Sequence, residues 1–299
     1  PRIARIRDMV LHRDDFPAQA AAIHLRAGDV LYGRYADNPR WLNKVICAPM
    51  AAVLARHLKG GGMTPVFFGQ EPHIARRLAK RFDCCIAEDF NPQDCNSDLE
   101  IAFADIFLMS RCSVIYAGNS GFAKIASQFS RLPQHNPLDV YKAGQWPQLL
   151  HEEVSNHAET YSPEQRAYAY FTCYYYALQA GMKKELSKYI SLARHHNPKN
   201  NMYAFLEAIT PLHTGELQKA EELMSAYFED AIRQPEQKFS KTERVQTLCA
   251  NSNGGLVYAR FLPHRPLPNA GYPRLRATIS FLQRQMSPES VETLRRELL

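Results

Sequence analysis

Ala20-Ala21-Ala22-Ile23-His24-Leu25-Arg26-Ala27-Gly28-Asp29 is an apolar run that ends in a charged turn. Six residues without helical spacing, closed by a glycine, read as a buried strand. The residues at its end suit an anionic group held at the strand's carboxyl edge. Arg26 offers a planar, permanently charged fork that matches phosphate oxygens. Gly28 lets the backbone bend sharply and approach a ligand. The same residues also fit a plain β-turn in which Arg26 and Asp29 form a surface ion pair.

Outward from this strand, residues 20–130 alternate strand and helix signals. A helix is expected over Val45–Leu58, ended by Lys59-Gly60-Gly61-Gly62, then a strand over Thr64–Phe68. Pro72–Phe82 reads as a helix with proline in its first turn, and Cys84–Ala87 as a strand. Asp98–Arg111 reads as a largely buried helix, Ser113–Ala117 as a strand, and Phe122–Phe129 as a helix. Such alternation predicts a parallel sheet covered on both faces, with ligands beyond the carboxyl ends of its strands. Three glycine-bearing loops then meet at one edge: Arg26–Gly33, Gly69–Pro72 and Gly118–Gly121. The last, Gly-Asn-Ser-Gly opening into a helix, fits a phosphate cradle and equally an ordinary N-cap.

Prolines 133, 137 and 147 mark residues 131–160 as an irregular strap or linker. Beyond it, Ala167–Asn197 and Met202–Arg233 each read as two helices around a break, with Gly181 and Gly215 at corresponding turns 34 residues apart. This period is similar to a tetratricopeptide repeat. Tyr174-Tyr175-Tyr176 reads as packing between helices. A loop-rich return follows, and Ser287-Pro288-Glu289 starts a final amphipathic helix. The expected organisation is a Rossmann-like domain over residues 1–135, a strap over 136–160, and a helical domain with a loop-rich extension over 161–299.

The 299 residues are 45% hydrophobic and 22% charged, enough to bury a sizeable core, with a net charge of +6 spread along the chain. That balance suits an anionic small molecule or an anionic surface and does not argue for nucleic acid. Seven cysteines without CxxC spacing read as reduced thiols in a cytoplasmic protein, and neither they nor His195-His196 have zinc spacing. No apolar stretch is long enough to span a bilayer; peripheral contact with the inner membrane is left open. P-loop and dinucleotide fingerprints are missing from the sequence. A start at Pro1 reads as a segment of a longer polypeptide.

Three segments together resemble a known group. His24-Leu25-Arg26-Ala27-Gly28-Asp29 is similar to the His-x-Arg-Arg-Gly-Asp motif of the α1,2/α1,6- and protein-O-fucosyltransferase superfamily. Val66-Phe67-Phe68-Gly69-Gln70-Glu71-Pro72 resembles that family's next strand. Asp105–Cys112 followed by Ile115–Phe122 resembles its Leu-Met-Ser-x-Cys … Asn-Ser-Ser/Thr-Phe segment. Order and spacing agree over roughly residues 18–130. The sequence departs from the family at Ala27 (a second arginine there), at Gln70 (an acidic residue) and at Ala123-Lys124 (a Trp-Trp pair).

The resemblance implies the donor half of a GT-B glycosyltransferase of bacterial type, acting in polysaccharide assembly. It would use no metal and no cofactor, and would move a sugar from a nucleotide-diphosphate donor, GDP-linked in the family, to a glycan acceptor. Arg26 would neutralise the departing diphosphate. His24, Gly28 and Asp29 would shape the loop or touch the nucleotide. Phe68, Gly69 and Gln70 would line base and ribose, and Asn119, Ser120, Gly121 and Phe122 would cradle the pyrophosphate. Asp37 is the candidate general base, and a loop residue is the plain alternative. The competing reading is a non-catalytic interaction module whose helical repeats bind a protein partner.

Overall fold

A computed structural model describes residues 2–33, 35–93, 95–233, 258, 260–263 and 271–283. These fall into two compact units, one within Pro1–Tyr35 and Trp41–Cys173, the other within Ala36–Arg40 and Tyr174–Leu299.

The first unit is built on five parallel strands: β1 Ala20–Leu25, β2 Thr64–Gly69, β3 Cys85–Ile86, β4 Val114–Ala117 and β5 Gln134–His135. Their order is β3-β2-β1-β4-β5. Every residue of β1 is buried, as the unbroken apolar run predicts for a strand with neighbours on both sides. The three alanines at its start let helices approach the sheet closely from either face. The helices of this unit are α1 Arg2–Leu11, α2 Gly28–Leu31, α3 Ala48–Gly60, α4 Pro72–Phe82, α5 Asp98–Arg111, α6 Gly121–Ser130 and α7 Trp146–Asn156.

Side-chain alternation along the strands assigns the faces. Ala20 and Ala22 of β1, Val66 and Phe68 of β2, and Ile115 and Ala117 of β4 join one core with Ile6 and Val10 of α1, Ala104, Ile106, Phe107, Leu108 and Met109 of α5, and Ala123 and Ala126 of α6. On the other side α3 packs against β1, β2, α4 and α7. Alternation puts His24 on the α5–α6 face, and this decides the site.

The expected strand at Ser113–Ala117 begins one residue later, and Cys84–Ala87 contracts to a two-residue strand. The helix expected from Val45 starts at Ala48, because Cys47 is extended (φ −73°, ψ 161°) and Pro49 needs no donor partner in the first turn. Residues 136–160 are not an irregular strap, since α7 occupies 146–156. Pro147 sits in its first turn, where it is tolerated, and Trp146, Leu150 and Val154 are buried. Glu153 of α7 is fully buried and meets Arg56, Arg81 and the Tyr161 hydroxyl, the last at 2.5 Å.

Helix α8, Pro163–Gln179, begins in the first unit and ends in the second. The second unit continues with α9 Leu186–His196, α10 Asn201–Ile209, α11 Leu217–Arg233 and α12 Pro273–Gln283. Gly181 and Gly215 lie at the α8–α9 and α10–α11 turns with φ of +71° and +84°, as their spacing suggested. Tyr174 and Tyr176 are buried, and Tyr174 stacks on Phe261 at 6.1 Å, in keeping with a packing role for the tyrosine run. The Glu221 carboxylate caps α12 by accepting from the backbone N–H groups of Arg274 and Leu275 at 3.1 and 2.8 Å. The helix expected from Ser287 and the residue Cys249 lie outside the described residues. No disulfide joins the described cysteines, and no described helix is long and apolar enough to cross a membrane.

Candidate functional site

In a parallel sheet ordered 3-2-1-4-5, the connections leave the first strand and the fourth in opposite directions. The crevice this opens beyond their carboxyl ends is where such sheets hold ligands. A cleft of about 360 Å³ lies at that edge. β1 lines it with His24 and Leu25, and Arg26 follows. β2 contributes Gly69, with Gln70 beyond it. α5 contributes Asp98, Ile101, Ala102 and Asp105, and α6 contributes Phe122. The four α5 residues recur at helical spacing, so one face of that helix forms a wall.

His24 is 8% exposed, and its ring stacks on Phe122 with centroids 5.8 Å apart and planes 12° apart. Its Nδ1 is buried with no hydrogen-bond partner among the described residues. Burial, then the neighbouring Arg26 guanidinium, pull its pKa down to about 4, so the imidazole is neutral at physiological pH. Arg26 is anchored by its backbone N–H to the Ile46 carbonyl at 3.3 Å. Its Nη2 reaches Asp29 Oδ1 at 3.4 Å, a long and weak pair, so the surface ion pair is present. Arg26 Nε, however, is buried without a partner among the described residues. Two ring or guanidinium nitrogens in one cleft thus lack the hydrogen-bond partners that buried nitrogens ordinarily find.

The opposite wall is acidic. Burial pushes the Asp105 carboxyl up to about 7; the Asn91 amide, donating at 3.3 Å, opposes this and the Glu88 charge adds to it. Asp98 lies exposed at the start of α5, where Ser97 caps the helix by accepting from the Glu100 N–H. The cleft therefore pairs a cation and a neutral imidazole with carboxyl and amide acceptors. That suits a ligand carrying negative charge at one end and N–H donors at the other.

Two glycines make the edge possible. Gly28 has φ +40°, and a Cβ there would lie 2.5 Å from Gln70 Oε1. Gly69 has φ +138°, and a Cβ there would run into the Leu25 carbonyl oxygen of the neighbouring strand.

The structure gathers His24, Arg26, Gly69, Gln70 and Phe122 around one cleft, with Gly28 packed under Gln70 and Asp29 on Arg26. Phe68 departs from expectation. It pairs with His24 across the ladder but points into the core and is 1% exposed, so it does not line the cleft. Asn119, Ser120 and Gly121 also stand outside the lining. Ser120 is buried and caps α6, and the Gly118 carbonyl is held by the Ser120 N–H and by Gln134 Nε2. Asp37 belongs to the other unit, where its carbonyl accepts from the Tyr258 hydroxyl at 3.1 Å. Asp98 and Asp105 were not singled out as site residues. The signal was a carboxylate inside the apolar run Phe103–Met109. Among the described residues no group of three or more His, Cys, Asp or Glu could hold a metal ion. No family model matches the chain, nor does any curated protein or solved structure.

Proposed function

We propose that this cleft is the donor site of a fucosyltransferase-like glycosyltransferase, binding a nucleotide-diphosphate sugar for transfer to a glycan acceptor. The observation that carries this reading is the pair of buried, unpartnered nitrogens, His24 Nδ1 and Arg26 Nε, at the switch point of a 3-2-1-4-5 parallel sheet. Phosphate oxygens are acceptors for Arg26 Nε, and for His24 Nδ1 in the tautomer that carries its proton there, and a diphosphate leaving group needs the charge that Arg26 supplies. Asp105 on the α5 wall, and Gln70 beside the Arg26 turn, would accept from the N–H groups of a base. The chain would act as the nucleotide-binding half of a GT-B arrangement, with the helical unit as a repeat-like partner surface.

The test is calorimetry and thermal unfolding with GDP, UDP and CMP on wild type and Arg26→Ala. Saturation at a hundred times Kd stabilises by about 2.7 kcal/mol, a rise in melting temperature of roughly 4 °C when all 299 residues unfold together. Losing a charge-assisted contact should weaken binding about 10- to 100-fold. Absence of any shift with all three nucleotides would leave the non-catalytic interaction module as the better account.

A further inference from the structure

The turn after β1 and the turn after β2 both line the cleft, through Arg26 and Gln70. A set of hydrogen bonds behind them joins the two. Tyr32 follows α2, the single helical turn that begins at Gly28, and its phenol donates to Glu71 Oε1 at 2.6 Å. Glu71 directly follows Gln70. Its other oxygen accepts from Gln165 Nε2 at 2.7 Å. Gln165 comes from α8, yet it is 1% exposed, and its Oε1 takes the backbone N–H of Ala48 at the start of α3, at 2.9 Å. Ser162 Oγ lies 3.4 Å from the Tyr32 hydroxyl.

Both Glu71 oxygens are thus committed to the fold, one to each side. We propose that Glu71, held by Gln165, is a positioning residue that fixes the Arg26 turn against the Gln70 turn and so sets how guanidinium and amide meet a phosphorylated ligand. This rests on the donor-site reading of the cleft. The two turns have no slack: Gln70 Oε1 lies where a Cβ on Gly28 would come within 2.5 Å. Displacements of about 1 Å in such constellations are felt strongly by ligands. Burial and then the Glu71 contact raise the Tyr32 phenol pKa, so it remains a donor at physiological pH.

The experiment uses the full chain and the variants Glu71→Gln, Tyr32→Phe, their double mutant, and Gln165→Leu. Backbone amide exchange is followed in the free protein, and pyrophosphate and GDP affinities are measured by calorimetry. In Glu71→Gln, amides of residues 27–33 and 69–71 should exchange about tenfold faster, with those of β1 and β4 unchanged. Glu71→Gln and Tyr32→Phe should each bind pyrophosphate roughly tenfold more weakly, and the double mutant no more weakly than the poorer single, because both loosen the same link between the two turns. Gln165→Leu should reproduce the loss from a residue outside the cleft. Unchanged exchange in Glu71→Gln would overturn the proposal, as would unchanged affinity accompanied only by a lower melting temperature. If wild type binds neither ligand, the donor-site reading fails, while the exchange comparison still decides whether Glu71 ties the two turns.

Discussion

Asp105→Asn removes a charge that the fold holds at a cost. The carboxyl sits among buried residues of α5, and burial moves its pKa from 3.8 to about 7. Between those values the native chain keeps a proton that the unfolded chain has released. More protons bound in the native state means that stability falls as pH rises through this window and levels off above about 7. At about 1.4 kcal/mol per pH unit, the gap of roughly three units amounts to about 4 kcal/mol in alkaline solution. Asparagine has nearly the same shape, carries no charge and still offers an oxygen to Asn91 Nδ2, which now donates at 3.3 Å.

The variant should therefore equal wild type near about pH 4 and exceed it by about 2–4 kcal/mol near about pH 8, allowing for local relaxation of the charged form. Urea unfolding followed by circular dichroism at several pH values measures the difference directly. A difference that does not change with pH, or a variant less stable than wild type in alkaline solution, refutes the claim that the carboxyl is held ionised against burial.

His24 gives the opposite slope. Its folded pKa of about 4 lies below the ordinary 6.5, so stability is lost as pH falls through that window, by about 3 kcal/mol, and His24→Gln should abolish this acid sensitivity in the same unfolding series. Glu153→Ala leaves the half-buried Arg81 guanidinium and the buried Tyr161 hydroxyl without their shared acceptor and should cost about 2–3 kcal/mol by chemical denaturation. Gly69→Ala should fail to give folded protein, since its Cβ meets a backbone carbonyl. Gly28→Ala should fold with a penalty of about 1–2 kcal/mol, because its Cβ meets only the movable end of Gln70. Expression yield and melting temperature separate the two.

The sheet was legible because β1, β2 and β4 are apolar runs flanked by glycine, and the helices Pro72–Phe82 and Asp98–Arg111 fall where periodicity and capping residues put them. β5 was not legible: two residues, Gln134 and His135, are too short for any alternation and gain strand character only by pairing with Ile115 and Tyr116. Helix α7 was hidden by Pro147, which looks like a breaker unless its first-turn position is known. Phe68 misled for a related reason. An aromatic at a strand's end can face a ligand or the core, and only its partnership with α5 and α6 residues decides between them. Asp105 shows the converse, a polar residue in an apolar run whose significance depends on which helix face opens onto the cleft.

Two buried polar clusters in the same unit behave differently, and the contrast bears on function. Glu153 is 1% exposed, but two guanidinium groups and a phenol satisfy it, so its presence is explained by the joining of α3, α4 and α7 alone. At the cleft, His24 Nδ1 and Arg26 Nε have no such internal explanation, and the Asp105 carboxyl is driven to about 7. Each unsatisfied buried group costs about 1–3 kcal/mol in the free chain. A ligand that brings hydrogen-bond partners to the two nitrogens and donors to the carboxyl returns that cost on binding. Under the donor-site proposal, the cleft's affinity for a phosphorylated, N–H-bearing ligand and the free chain's sensitivity to pH would have one origin. Variants that relieve the strain, Asp105→Asn foremost, should gain stability at the expense of recognition.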